Sequence, residues 1–194
     1  LPHVLAAEEW QQLSAGIAQR ASLLNAVLAD LYGPQRLIKE GLLPAELVFG
    51  HNNFLWPCQG IQPPDGTFLH LYAVDLARTP DGRWWVTADR TQAPSGAGYA
   101  LENRTIVSRA FPDLYRDLQV QHLTGFFRTL QETLARQAPS DDQPPLIVLL
   151  TPGRFNESYF EHLYLARQLG YPLVEGGDLT VRDATEIGRA SCRE

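Results

Sequence analysis

The segment Leu146-Ile-Val-Leu-Leu-Thr-Pro-Gly-Arg-Phe-Asn-Glu157 decides the fold class, together with Pro172-Leu-Val-Glu175 further along the chain. Each contains a short apolar run, which is typical of a buried strand. Between the two runs, Asn156 is a suitable N-cap for a helix, and Gly170 suits the end of a helix that runs through Leu169. The order strand, helix, strand predicts a βαβ unit, and hence part of a parallel α/β sheet.

The amino-terminal region, residues 1–44, is predicted to be helical. Between residues 6 and 31, apolar side chains recur at steps of three and four, which places them on one face of a long helix. Gly33 ends this helix, and Pro34 suits the first turn of a second, short helix that stops before Pro44. We expect a pair of helices that docks on a larger body.

The region that follows, residues 45–138, is predicted to begin with a β-hairpin. Aromatic and aliphatic residues are concentrated between residues 67 and 76, and again between residues 84 and 89. Pro80-Asp-Gly82 lies between the two runs and is a strong turn signal. The two runs are therefore expected to pair as antiparallel strands.

After the hairpin, a glycine-containing loop and further helices are expected. Pro94, Gly96 and Gly98 exclude regular structure from the loop. One helix is predicted from residue 99 to 111 and another from Pro112 to residue 134, with a polar linker over 138–145. Helices, a hairpin and a βαβ unit together define an α/β chain of mixed α+β character.

Composition excludes several classes of function. Of 194 residues, 44% are hydrophobic and 20% charged, which is a globular balance. The formal net charge is −6 and Lys39 is the single lysine, so nucleic acid is not an expected partner. No apolar run approaches the roughly 18 residues of a membrane span, and no signal peptide is recognisable. Two cysteines without metal-ligand spacing fit a reducing cytoplasm.

We expect the natural sequence to be truncated at both ends of the chain. Residues 185–194 read as a non-native tail, because Glu186-Ile-Gly-Arg-Ala-Ser-Cys-Arg-Glu194 matches the translation of a sequencing adapter. We expect the gene to be cut short at about Ala184. The start at Leu1, in a chain without methionine, suggests truncation at that end as well.

Two aspartates end the hairpin strands and form a candidate metal site. If Asp75 lies opposite Thr87, then Asp75 and Asp89 are diagonal neighbours on one face, roughly 7–8 Å apart. Such a pair of carboxylates suits magnesium together with nucleotide phosphates. The alternative is that these aspartates cap turns or pair with Arg78 and Arg90.

Two loops are candidate ligand sites. Ser95-Gly-Ala-Gly98 precedes a helix and presents backbone N–H groups to an anion, or it is a plain connecting loop. The loop 151–157 follows a parallel strand and opens a helix, which is where open α/β sheets place ligands. There Arg154 is a candidate for carboxylate or phosphate binding, and Asn156 contacts a ligand or caps the helix. The five histidines show no metal-ligand spacing.

Four segments together resemble the circularly permuted ATP-grasp family, type 2, which is related in fold to glutathionylspermidine synthetase. They are Ala29-Asp-Leu-Tyr-Gly-Pro34, Val74-Asp-Leu-Ala-Arg78, Asp89-Arg-Thr-Gln-Ala-Pro-Ser-Gly-Ala-Gly-Tyr-Ala-Leu-Glu-Asn-Arg104 and Thr151-Pro-Gly-Arg-Phe-Asn-Glu-Ser-Tyr-Phe-Glu-His162. The resemblance implies that residues 45–138 form part of an ATP-grasp domain. It also implies that residues 145–184 begin a Rossmann-like domain.

The resemblance further implies a ligase that uses ATP and magnesium to join a small-molecule carboxylate to an amine or peptide through an acyl-phosphate. The implied roles are catalytic for Arg78 and Arg90, cofactor-binding for Asp89, Ser95, Gly96, Gly98, Asn103 and Arg104, substrate-binding for Arg154, Asn156 and Glu157, and metal-binding for Asp75 and Asp89.

One departure from the family pattern leaves two hypotheses open. Where many relatives resemble Glu-Asp-Asn followed two residues later by arginine, this chain has Ala88, Asp89, Arg90 and Gln92. The first hypothesis is a fragment of a ligase, inactive by itself. The second is a non-catalytic scaffold that binds an alpha-E domain protein or a transglutaminase-like protein.

Overall fold

The computed structural model describes residues 2–138, 144–182 and 185–187. The chain divides into two compact units, Leu1–Pro94 and Ser95–Glu194. Part of the predicted linker, residues 139–143, and most of the expected tail, residues 188–194, lie outside the described residues.

The first unit begins with the long helix that the apolar pattern predicts. Helix α1 covers Ala7–Leu31, followed by the short helices α2 (Arg36–Lys39) and α3 (Ala45–Phe49). The Asp30 carboxylate accepts hydrogen bonds from the Arg36 and Leu37 N–H groups, which satisfies donors at the start of α2. Within the described part of the chain, no helix combines the length and apolar character needed to cross a bilayer.

An aromatic cluster lies after α1. Tyr32 stacks on Phe54 at 4.8 Å between ring centroids, and Phe49 lies 5.0 Å from Phe54 and 4.9 Å from Trp56. The Tyr32 hydroxyl accepts a hydrogen bond from the Leu55 N–H group. Stacked and edge-to-face pairs of this kind stabilise a fold beyond the area they bury.

The hairpin is confirmed, with a shorter first strand than expected. Strand β1 covers Ala73–Arg78 and β2 covers Trp84–Arg90, and the two pair antiparallel. The predicted strand began at residue 67. The Phe68 and Leu69 N–H groups instead donate to the Asn25 side chain on α1, so this stretch is bound to a helix rather than to a strand.

The hairpin register corrects the expected one. Asp75 lies opposite Ala88, not Thr87, and the register shifts between Asp75 and Leu76, which pairs with Val86. Thr87 is therefore the extra residue of a β-bulge. Because side chains alternate along a strand, the extra residue moves Asp89 to the face opposite Asp75.

The second unit opens with three helices, α4 (Ala97–Ala110), α5 (Pro112–Asp117) and α6 (Thr124–Gln137). The prediction of one helix from Pro112 to residue 134 was wrong. Gln119 adopts a left-handed conformation with φ 47°, which ends the helical path, and α6 starts again at Thr124.

The predicted βαβ unit is confirmed. Strand β3 (Leu149–Thr151) pairs in parallel with β4 (Leu173–Glu175), and α7 (Tyr159–Leu169) connects them. The buried apolar residues of this unit are Ala166, Leu169 and Val174. Beyond it, β5 (Thr180–Arg182) and β6 (Thr185–Ile187) pair antiparallel, a hairpin that was not predicted and that includes the first residues of the expected tail.

Candidate functional site

Asp89 is the centre of a charged cluster in the first unit. Arg20 on α1 donates from Nε to Asp89 Oδ1 at 2.6 Å and from Nη2 to Oδ2 at 2.7 Å. The Tyr72 hydroxyl also donates to Oδ1. The bonds from Arg20, followed by that from Tyr72, lower the pKa of Asp89 to about 2. Both carboxylate oxygens are therefore occupied by donors of this chain.

The other hairpin charges are also paired. Arg90 donates to Asp75 at 2.7 Å, and this bond lowers the pKa of the Asp75 carboxyl. Arg78 lies 3.2 Å from Glu9 Oε1, which also accepts the indole N–H of Trp84 at 2.8 Å. The structure thus supports the alternative of pairing for Asp75 with Arg90, whereas Asp89 pairs with Arg20, a residue that the sequence reasoning did not single out.

The two hairpin aspartates do not form the magnesium site that was expected of them. Asp75 and Asp89 lie on opposite faces of the ribbon, each held by an arginine, so they do not form the shared site that the expected register would have produced. Across residues 2–138, 144–182 and 185–187, no three His, Cys, Asp or Glu side chains converge in a way that would hold a metal. The expected metal role of Asp75 and Asp89 lacks its geometric basis.

The Arg20–Asp89 pair predicts a pH dependence. The pKa of Asp89 is about 2 in the folded chain against a reference of 3.8, so its stabilising contribution is complete above about pH 4 and is lost as the pH falls towards 2. Carboxyl-detected NMR should give an Asp89 midpoint near 2. In Arg20→Gln the midpoint should move towards 3.8. A wild-type midpoint near 3.8 would contradict the bidentate pair.

In the second unit, the glycine loop holds a carboxylate of the chain itself. The Gly96 and Gly98 N–H groups donate to Glu161 Oε1 at 2.7 Å and 2.8 Å. Glu161 lies on α7 and is 1% exposed. The loop thus surrounds an anion, as its pattern indicates, but the anion is internal. Ser95 precedes this contact and is exposed.

The two cofactor-binding candidates on α4, Asn103 and Arg104, are adjacent on the helix. Asn103 is exposed and Arg104 is half-buried. Arg104 has no carboxylate within ion-pair distance among the described residues. Its charge is therefore not neutralised by this part of the chain.

The loop after β3 carries the three substrate-binding candidates, Arg154, Asn156 and Glu157, which differ in exposure and in their contacts. Arg154 is exposed, and its guanidinium lies 4.9 Å from the ring centroid of Phe155, which is 92% exposed. Asn156 was expected to cap α7, but the helix begins at Tyr159 with Ser158 as N-cap. The Asn156 side chain accepts from the Ser158 N–H at 2.9 Å and forms a turn before the helix. Glu157 is exposed.

A cleft of about 360 Å³ opens at the carboxyl ends of β3 and β4, a volume in the range of small-ligand sites. It is lined by Thr151, Tyr159, Leu173, Glu175, Gly177 and Asp178. At its base, Thr151 Oγ1 lies 2.9 Å from His162 Nδ1 and accepts from the Gly153 N–H at 3.2 Å. Arg154, Asn156 and Glu157 do not line this cleft.

Sequence reasoning missed Glu161, Arg20 and the cleft acids Glu175 and Asp178. A signal existed for Glu161, because its four-residue spacing from Leu165 and Leu169 places a carboxyl group at the start of an otherwise apolar stripe of α7. Glu175 ends a predicted strand, where ligand-binding residues concentrate. For Arg20, which lies on the edge of the apolar face of α1, no comparable signal existed.

Comparisons with known proteins found one matching family model and several relatives in bacteria. A family model described as circularly permuted ATP-grasp type 2 matches residues 2–190. An uncharacterized protein of Mycobacterium tuberculosis is 48% identical over 183 residues, which cover 94% of this chain and 21% of that protein. Another, of Synechocystis, is 43% identical over 94% of this chain and 38% of its own length. A Mycobacterium leprae protein is 39% identical, with 33% of its length covered.

Proposed function

Because this chain belongs to the circularly permuted ATP-grasp type 2 family, we propose that it is part of an ATP-dependent ligase that joins a carboxylate to an amine. The family match over residues 2–190 is the observation that carries the proposal. The chain spans 21% to 38% of the length of the three relatives compared, so the activity is proposed for a polypeptide that contains this chain and further sequence.

The proposed reaction has two steps. A substrate carboxylate oxygen attacks the γ-phosphorus of ATP and ADP leaves, which gives an acyl-phosphate. The amine then attacks the acyl carbon, inorganic phosphate leaves, and the amine gives up a proton. Both steps develop negative charge on phosphate oxygens, and fixed cations stabilise such charge.

Arg154 is the side chain of this chain that best suits that task. It has no ion-pair partner among the described residues, whereas Arg78 and Arg90 are already paired with Glu9 and Asp75. Arg154 also follows a parallel strand at the edge where α/β sheets bind ligands. We assign Arg78 and Arg90 to the support of the hairpin and Arg154 to anion binding.

The cleft at the carboxyl ends of β3 and β4 is the proposed position of the amine substrate. Glu175 and Asp178 line it with carboxylates, each of which also accepts the backbone N–H of the other residue. A protonated amine is complementary to their remaining lone pairs. Magnesium, which the family implies, would supply charge neutralisation of the phosphates when bound. Asp75 and Asp89 are each held by an arginine, so they are not proposed as its ligands.

The proposal is tested with a polypeptide that contains this chain together with the additional length present in the relatives. It should release ADP from ATP in the presence of magnesium, and release should depend on an acid and an amine drawn from panels of each. Isothermal titration with MgATP and no acceptor should show saturable binding. Absence of any nucleotide binding rejects the ligase.

Arg154→Ala in the same polypeptide should lower kcat/KM by about ten-fold, since one charge-assisted contact to an anion is lost. Arg128→Ala is the matched control, because Arg128 is an exposed arginine on α6 without an ion-pair partner among the described residues. Steady-state ADP release measures both variants. Equal activity of Arg154→Ala and wild type excludes the assigned role.

A second candidate is the non-catalytic scaffold that binds an alpha-E domain or transglutaminase-like protein. The observation in its favour is that both hairpin aspartates are engaged by arginines rather than left for a metal. Capture of such a purified partner by a polypeptide that binds no MgATP would favour this candidate over the ligase.

A further inference from the structure

The buried carboxylate of Glu161 accepts hydrogen bonds from two backbone N–H groups of the Ser95–Gly98 loop. Gly96 is the N-cap of α4 and Gly98 is its second residue, and both donate to the same oxygen, Glu161 Oε1. The amino-terminal end of a helix favours an anion, and here α7 supplies one. These two donors are therefore not available to a phosphate while Glu161 is in place.

The shape of the loop fits this internal anion. A Cβ added at Gly98 would lie 2.8 Å from Glu161 Cγ and 3.2 Å from Leu165 Cγ, so the absence of a side chain makes room for α7. Gly96 has φ 119°, a conformation that L residues rarely adopt, and no atom of the described residues beyond its chain neighbours lies within 4 Å of its Cβ position. The glycines thus serve the turn and the contact with Glu161.

Electrostatics also disfavours a second anion at this place. Glu161 is 1% exposed, and its other oxygen, Oε2, has no hydrogen-bond donor among the described residues. A buried carboxylate is stabilised by the few dipoles that face it. Moving the Glu161 side chain into solvent would leave the Gly96 and Gly98 N–H groups without an acceptor. A phosphate beside it would meet like charge at short range.

We infer that Glu161 is a positioning residue that locks the amino-terminal end of α4 to α7, and that the Ser95–Gly98 loop does not bind the nucleotide phosphates. Ordering this end of α4 fixes the direction in which Asn103 and Arg104 extend further along the helix. The inference rests on the proposed function only where it excludes the loop from the phosphate site.

The test compares two substitutions of similar size in this chain. Glu161→Gln keeps an acceptor oxygen and removes the charge, whereas Glu161→Met fills the volume without an acceptor. If the hydrogen bonds order the loop, amide exchange at Gly96 and Gly98 should be about ten-fold faster in Glu161→Met than in wild type, with Glu161→Gln between them. If Glu161 acts only by packing, Glu161→Met should exchange as slowly as wild type, and the inference is overturned.

A titration separates this inference from the ligase proposal. When MgATP is added to an isotopically labelled polypeptide that contains this chain together with the additional length present in the relatives, the Gly96 and Gly98 amide resonances should stay in place while other resonances move. Saturable shifts of both resonances would show that a phosphate displaces Glu161. If no resonance of that polypeptide moves, the ligase proposal fails, while the exchange measurements still decide the role of Glu161. If Glu161→Met does not fold, the comparison of wild type with Glu161→Gln decides it, and equal exchange in the two overturns it.

Discussion

Gly98→Ala is expected to destabilise the second unit by about 3 kcal/mol, the largest effect of any single substitution considered for this chain. The new methyl group would lie 2.8 Å from Glu161 Cγ. The contact is with Cγ of a buried side chain, so a rotation of the terminal carboxylate alone cannot relieve it. Either the helices separate or the bonds to Gly96 and Gly98 lengthen, and both outcomes lose free energy of folding.

The matched control for this substitution is Gly125→Ala. Gly125 is the second residue of α6 in the same unit, as Gly98 is of α4, and no described atom outside its own helix lies within 4 Å of its Cβ position. There the methyl group should be neutral or stabilising by roughly 0.5–1 kcal/mol, since alanine is the better helix former. Amide exchange along β4 and α7, which should be about a hundred-fold faster in Gly98→Ala alone, measures the difference. Equal exchange in the two variants would mean that α4 and α7 are not in this contact.

Asn25→Ala should cost about 2 kcal/mol in the first unit. Asn25 on α1 accepts from the Phe68 N–H at 2.8 Å and the Leu69 N–H at 3.0 Å, and it donates to the Gly66 carbonyl at 3.2 Å. Its removal leaves partly buried backbone groups without partners, which costs more than the loss of an exposed bond. The same three contacts fix the chain just before β1.

Tryptophan fluorescence is a suitable probe of this loss, because all four tryptophans, at positions 10, 56, 84 and 85, lie in the first unit. The midpoint of urea unfolding should fall in Asn25→Ala. Ser22→Ala is the control, since the Ser22 hydroxyl is exposed and, among the described residues, bonds only to the Ala18 carbonyl of its own helix. A midpoint in Asn25→Ala equal to that of Ser22→Ala would contradict the bridging role.

The elements that sequence reasoning predicted are those set by local signals. The apolar period of α1, the Pro80-Asp-Gly82 turn and the order of runs around α7 each fix a local structure, and all three are confirmed. The resemblance to the circularly permuted ATP-grasp family, which rested on specific blocks such as residues 89–104, is also confirmed.

The features that the sequence did not predict depend on contacts between residues distant along the chain. The stretch at Phe68 was expected in a strand, but Asn25, more than forty residues earlier, takes its N–H groups. Asp89 was expected to face a metal, yet Arg20 lies 69 residues away in sequence and binds it. Propensity and spacing describe neighbours along the chain, so neither is informative about such pairs.

The bulge at Thr87 changes how related hairpins are compared. Strand side chains alternate, so one additional residue inverts the parity of every position after it. Two members of the family with identical acids and bases in β2, but only one of them bulged, would present those groups to opposite neighbours. For this hairpin, residue identity in an alignment is therefore not enough to describe a site. The number of residues between the turn and the bulge is also needed, because it decides which face of the hairpin each side chain occupies.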